Sequence, residues 1–191
     1  MTGVHPEPTC VFRAATLGDV AGLTELIASS ARELCNGDYH PAQIEAALQG
    51  AWGVDTQLIR DGTYFVGQRG GHLAICGGWS RFTTEFGGDA FAGRRTGTLQ
   101  PGVDPAKIRA FFVHPDHARF GLASQLLTLC EAQALAAGFT HAELVATIAG
   151  ARFYASRGYR MLERRPYALP GGLSIDFITM RRALAAPAQG A

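Results

Sequence analysis

The residues from Val113 to Leu127 constrain this chain more than any other stretch. An apolar run, Ile108 to Val113, ends close to Pro115, which cannot donate to a strand ladder. Beyond Gly121, the residues Leu122, Leu126, Leu127, Cys130 and Ala134 recur at helical spacing, and Gly138 stands where a helix stop is expected. The stretch predicts a strand, a tight loop and a helix that opens near Gly121. The first N–H groups of a helix have no partner within it and share the positive end of its dipole, so such a loop can hold phosphate. Gly121 lets a ligand approach the backbone, Ala123 keeps the first turn slim, and Arg119 adds a mobile positive charge.

The flanking sequence predicts alternating strands and helices. Cys10 to Ala14 reads as a strand, and Thr16 can cap a helix whose buried stripe is Val20, Leu23, Leu26 and Ile27, reaching about Glu33. Asn36-Gly37-Asp38 breaks it, and Pro41 starts a short second helix with Ile44, Ala47 and Leu48 on one face. Thr63 to Gln68 and His72 to Phe82 form a hairpin about Arg69-Gly70-Gly71. Gly77-Gly78 weakens the second of these strands unless a backbone or ligand must come close. The glycine-rich run from Thr83 to Pro105 is long for a connection; Glu85, Asp89, Arg94, Arg95 and Asp104 lie in it. Lys107 to Val113 is the next strand. Ala142 to Ala146 follows the central helix and is placed parallel to the Lys107–Val113 strand by the right-handed crossover rule. Gly150 to Arg157 reads as a short helix, and Tyr159 to Tyr167 and Ser174 to Met180 as a closing antiparallel pair.

With 191 residues, 47% of them hydrophobic, the chain supports one domain, set at residues 10–182, with residues 1–9 and 183–191 expected to be flexible. A net charge of +1 with 17% charged residues argues against a partner held by a basic surface, so no nucleic acid is expected. Cys10, Cys35, Cys76 and Cys130 form no C-x-x-C pair and read as free thiols of a cytoplasmic protein. No apolar run approaches the roughly 20 residues of a membrane span, so no membrane partner is expected. His114 and His117 with Asp116 lack a further ligand cluster, so no metal is expected. There is no G-x-S-x-G elbow, dinucleotide fingerprint or Walker loop to anchor a hydrolase, dehydrogenase or NTPase.

The run from Val113 resembles the acyl-CoA pyrophosphate signature of the GNAT superfamily of N-acetyltransferases, V-x-P-x-x-[RQ]-x-x-G-x-[GA]. Val113, Pro115, Gly121, Ala123, Leu126 and Leu127 match it; Ala118 stands in the place of Arg or Gln, with Arg119 one residue later, a form common in bacterial members. A second superfamily pattern, N-x-x-A-x-x-F-Y-x-x-x-G-F, is similar to Thr147 through Tyr159, matching at Phe153, Tyr154, Gly158 and Tyr159 and departing at Thr147 and Gly150. Phe12-Arg13-Ala14-Ala15-Thr16 with Asp19 is similar to the superfamily's opening, so the resemblance covers about residues 11 to 182.

The resemblance implies an α/β fold, a mixed and mostly antiparallel sheet flanked by helices with two splayed central parallel strands. It implies acetyl-CoA as donor and a small-molecule or peptide amine as acceptor, and a homodimer as an assembly open to the chain. Ala118, Arg119, Phe120, Gly121, Leu122, Ala123 and Ser124 would hold the pyrophosphate, and Phe111, Phe112 and Val113 the pantetheine arm, with Thr147 at the second motif. A backbone N–H near Phe112 or Val113 would face the thioester carbonyl. Tyr154 occupies the position of a tyrosine that protonates the leaving thiolate. Many relatives carry a carboxylate on the fourth strand, but Lys107 to Phe112 contains none, so Glu85 is the first candidate for the base, acting through water. The first two helices and the loop between them would border the acceptor, with Tyr39, His40 and Trp52 as candidates. An acyl-CoA-binding module without catalysis is the alternative.

Overall fold

The computed structural model describes residues 9–91 and 97–184; of the stretches 1–9 and 183–191 expected to be flexible, residues 1–8 and 185–191 lie outside the described residues, as do Arg94 and Arg95. Strand β1 (Val11–Ala14) leads through a capping turn into helix α1 (Val20–Leu34). Asp19 makes that turn: its carboxylate accepts from the Thr16 N–H at 2.7 Å and pairs with Arg13 at 2.7 Å. Helix α2 (Pro41–Leu48) begins on its proline. A short helix that the periodicity does not predict, α3 (Thr56–Arg60), is capped by Asp55, which accepts from the Gln57 N–H at 3.1 Å. The hairpin is β2 (Tyr64–Arg69) and β3 (His72–Ser80).

Then come β4 (Ala106–Val113), α4 (Leu122–Ala136), β5 (His141–Ala146), α5 (Ile148–Ser156), β6 (Arg160–Ala168) and β7 (Ser174–Ala183). The last strand runs past the expected end at Met180. Ala183 pairs with His141, and the Leu184 N–H donates to the Thr140 carbonyl at 2.8 Å. The expectation of a flexible tail from 183 is therefore corrected at Ala183 and Leu184, because the β5 edge supplies partners for their backbone.

Among the described residues the strands form one sheet in the order β1-β2-β3-β4-β5-β7-β6, antiparallel except for the central β4–β5 pair. Strand alternation gives it two faces: Tyr64 and Val66 join one core, while Phe65 between them joins the other. Leu23, Leu26 and Ile27 of α1 and Ile44 of α2 cover the first face, and Leu126, Leu127 and Cys130 of α4 cover the second. The four cysteines are unpaired. Among the described residues no helix is long and apolar enough to cross a membrane.

Candidate functional site

The sheet comes apart in its middle. Strand β4 pairs with β5 only from Ala106↔Ala142 to Ile108↔Leu144, yet stays paired with β3 as far as Val113↔Ile75. A bulge marks the departure. Gly77 lies between Cys76↔Phe112 and Gly78↔Arg109, facing both Ala110 and Phe111, and Ala110 adopts φ +55. The Phe111 ring lies on Gly77 so closely that a Cβ there would sit 2.5 Å from it, which accounts for a glycine inside a strand. Beyond Ile108 the backbone of β4 that faces β5 has no strand partner among the described residues.

This gap continues into a cavity of about 540 Å³. At one end it meets the turn before α4. Gly121, at φ +76, is the N-cap, and a Cβ there would have no atom within 4 Å. The first N–H groups of α4 therefore open onto the cavity together with Ala118, Arg119, Ala123 and Ser124. Leu122 lines it too but is anchored in the core. Phe120 is placed elsewhere: half-exposed, it lies under the Arg69 guanidinium, 4.0 Å from the ring centroid, outside the cavity lining. His117 borders the same end, and burial, with the charges of His114 and Arg69, lowers its proton affinity.

Along the middle run Phe111, Phe112 and Val113 on one side, and Ala146, Thr147 and Tyr154 on the other. Thr147 is the N-cap of α5, its hydroxyl accepting from the Gly150 N–H at 3.0 Å. Removing that cap in Thr147→Ala is expected to cost about 1 kcal/mol. In a chain of this size the loss should appear in calorimetry as a melting point lower by about 2–4 °C, restored by Thr147→Ser.

Tyr154 is buried among Phe111, Phe153 and Tyr159, and its hydroxyl has no hydrogen-bond partner among the described residues. Burial above all, then Cys130 and Glu131 nearby, raises this phenol above its ordinary range, so it holds its proton at neutral pH.

At the other end stand Trp52, Glu85 and Phe86. Glu85 is partly exposed, accepts from Arg165 at 2.5 Å and lies 4.0 Å from Lys107. Of the remaining candidates, Tyr39 is structural: its hydroxyl donates to the Asp176 carbonyl and accepts from the Ile148 N–H, both at 3.0 Å. Burial pushes its phenol up to about 12. His40 caps α2, accepting from the Ala42 N–H at 3.3 Å, and does not line the cavity. Sequence reasoning missed the pair beneath this end, Arg109 and Asp55, almost fully buried and 2.7 Å apart. An arginine inside an apolar strand run was its one visible sign, since a buried guanidinium requires a partner. Arg109 also donates to the Gly87 carbonyl at 2.9 Å, tying the loop after β3 to β4.

Comparison with known proteins places this geometry. Residues 60–161 match the model of the acetyltransferase (GNAT) domain. Among solved structures, a GCN5-related N-acetyltransferase from Rhodopseudomonas palustris superposes with a TM-score of 0.68 at 20% identity, covering 95% of this chain and 100% of that one. The PaiA N-acetyltransferase of Thermoplasma acidophilum, solved with coenzyme A, gives 0.63 at 12% identity over 92% and 99%. YncA of Salmonella typhimurium, solved with acetyl-CoA, gives 0.59 at 16% identity over 94% and 96%. At these identities the likeness is one of fold. A search of the curated proteins returns no match.

Proposed function

We propose that this chain, which belongs to the GNAT acetyltransferase family, moves an acetyl group from acetyl-CoA to the primary amine of a small molecule or a peptide terminus by direct attack on the thioester. One domain over residues 10–182 carries the reaction. The observation that supports this most is the half-paired β4 leading without interruption to the open N-terminus of α4. The site fits the donor: the strand edge offers amide partners to a pantetheine arm, and the open backbone at Gly121 offers N–H groups to a pyrophosphate. Two structural neighbours were solved with CoA or acetyl-CoA, in keeping with that fit.

Acetyl-CoA supplies the acyl carbon and leaves as the CoA thiol. The chain's own groups do the rest. Backbone N–H groups of Arg119 and of Gly121 to Ala123, with the Arg119 guanidinium and the Ser124 side chain, hold the pyrophosphate. Phe111, Phe112 and Val113 present their backbone to the arm, and an N–H near Phe112 or Val113 stabilises negative charge on the carbonyl oxygen. Thr147, its hydroxyl engaged in the cap, lines the arm's path and fixes the start of α5. Glu85 draws the ammonium to the acceptor end and receives its proton through water, leaving a neutral nitrogen that forms the C–N bond and gives up a second proton to that water as the C–S bond breaks. Tyr154 gives its proton to the departing sulfur and regains one from solvent, so the net products are an amide, a thiol and one proton.

The test is calorimetric titration with acetyl-CoA. Wild-type protein is expected to bind in the micromolar range, about −8 kcal/mol. Gly121→Glu puts a β-carbon into left-handed backbone, costing roughly 1–2 kcal/mol, and a carboxylate beside the pyrophosphate, so affinity should fall at least about 30-fold. Gly121→Ala, with the strain alone, should lose about tenfold or less. Absence of binding to the wild type would overturn the proposal.

A further inference from the structure

We infer that the acceptor is a small monocationic primary amine on an apolar body of aromatic size, rather than a polyamine, an amino acid or a peptide terminus. This rests on the acetyl-transfer reading above and names the acceptor it leaves open. The acceptor end is set by chain geometry: Glu85 and Gly87 lie beside Lys107 and Arg109, early in β4, and Val113, four residues on, is about 13 Å away at strand rise. The walls there are carbon: Trp52, Phe86, Phe177 and Leu34, with the thiol of Cys35. Phe86 is fixed in place by ring contacts to Phe177, Tyr167 and Phe91 at 4.7, 5.0 and 5.1 Å.

The charges at this end admit one ammonium. Glu85 is the sole carboxylate among the described residues lining the cavity, and it is partly exposed. A second ammonium on the same molecule finds no second carboxylate among the described residues lining the cavity, so a polyamine gains nothing from its extra charge. At this end, among the described residues, an amino acid's carboxylate finds no cation to spare. Arg109 is held by Asp55, Arg165 by Glu85, and Lys107 by Glu143 at 2.5 Å.

An extended peptide is excluded by the roof. The loop after β3 is latched to the segment before α3, with the Gly88 N–H donating to the Gly50 carbonyl at 3.3 Å and the Asp89 N–H to the Val54 carbonyl at 2.8 Å. Arg109 holds the same loop from below through Gly87. The cluster of Phe86, Phe91, Tyr167 and Phe177 packs this loop against the β6–β7 hairpin, closing that side to an extended chain.

The experiment offers 2-phenylethylamine, spermidine, glutamate and an alanyl tripeptide to the wild-type protein with acetyl-CoA. Thiol release is followed, and each amine is also titrated calorimetrically into CoA-saturated protein. The expected result is a kcat/KM for 2-phenylethylamine at least about 100-fold above each of the others, with binding heat for it alone. Phe86→Leu, a milder change than removing Trp52, should raise its KM about tenfold and leave acetyl-CoA affinity unchanged. A preference for spermidine, glutamate or the peptide overturns the inference, and so does acetyl-CoA binding without any response to 2-phenylethylamine. Failure of acetyl-CoA itself to bind overturns the acetyl-transfer reading instead.

Discussion

Replacing Tyr154 with phenylalanine is expected to lower kcat about 10²- to 10³-fold while acetyl-CoA affinity stays within about threefold. The asymmetry follows from where the hydroxyl sits. Among the described residues nothing accepts its proton, so its loss breaks no bond in the fold, and the ring keeps its contacts with Phe111, Phe153 and Tyr159. What disappears, under the mechanism proposed above, is the group that would meet the sulfur as the C–S bond opens.

Burial raises the phenol above its ordinary range, so it stays protonated throughout the neutral region and adds no alkaline limb to the rate profile below about pH 10. The same shift affects stability. The folded state holds this proton more tightly than the unfolded chain, so the contribution is complete below about pH 10 and is lost as pH rises beyond it. The Phe variant should lack that loss and outlast the wild type in alkaline unfolding. Kinetics, titration and an alkaline melt of the two proteins check all three expectations. An unchanged kcat would make Tyr154 a packing residue, and a wild type that binds acetyl-CoA but turns over no amine would identify an acyl-CoA-binding module.

Asp55→Ala is expected to destabilise the fold by about 3–5 kcal/mol, because it strands the buried Arg109 guanidinium. It also removes the cap of α3. Adding Arg109→Met should recover much of the stability, since a hydrophobic pair in such a place is often no worse than the ion pair. The double variant still lacks the donor to the Gly87 carbonyl, so its acceptor KM should remain high after its melting point has recovered. Denaturant unfolding and steady-state kinetics separate the two. If the double variant is as unstable as the single one, the pair is not what holds this region.

Much of this was legible in the sequence, for reasons that differ from element to element. Helix α4 was legible because its buried positions recur at 3.6-residue spacing and because Gly121 and Gly138 bracket it with backbone that glycine favours. The doubled glycine of β3 was flagged as a close approach, though not that the Phe111 ring lies on Gly77. Helix α3 escaped because five residues are too few to show a period; the Asp55 cap was its only mark. Arg109 and Asp55 are 54 positions apart by their numbers, and nothing local announces that they meet. Glu85, proposed from its place after the third strand, does border the cavity, but its link to Arg165 spans 80 positions and comes only from folding the last hairpin against that loop. The stretch 92–96 lies outside the described residues.

The parting of β4 from β5 also has a bearing on solubility. A strand with unsatisfied amides on the outside of a protein invites other chains to pair with it, and proteins usually blunt such edges with charge, proline or a bulge. Here the open amides lie inside the molecule, between two strands of the same sheet, with α4 and α5 at the mouth and the latched loop after β3 across the far end. A narrow, flexible ligand can reach them, whereas another polypeptide, with its own side chains to accommodate, cannot. The chain thus keeps the adhesiveness of a free strand while denying it to the aggregates that such strands ordinarily seed.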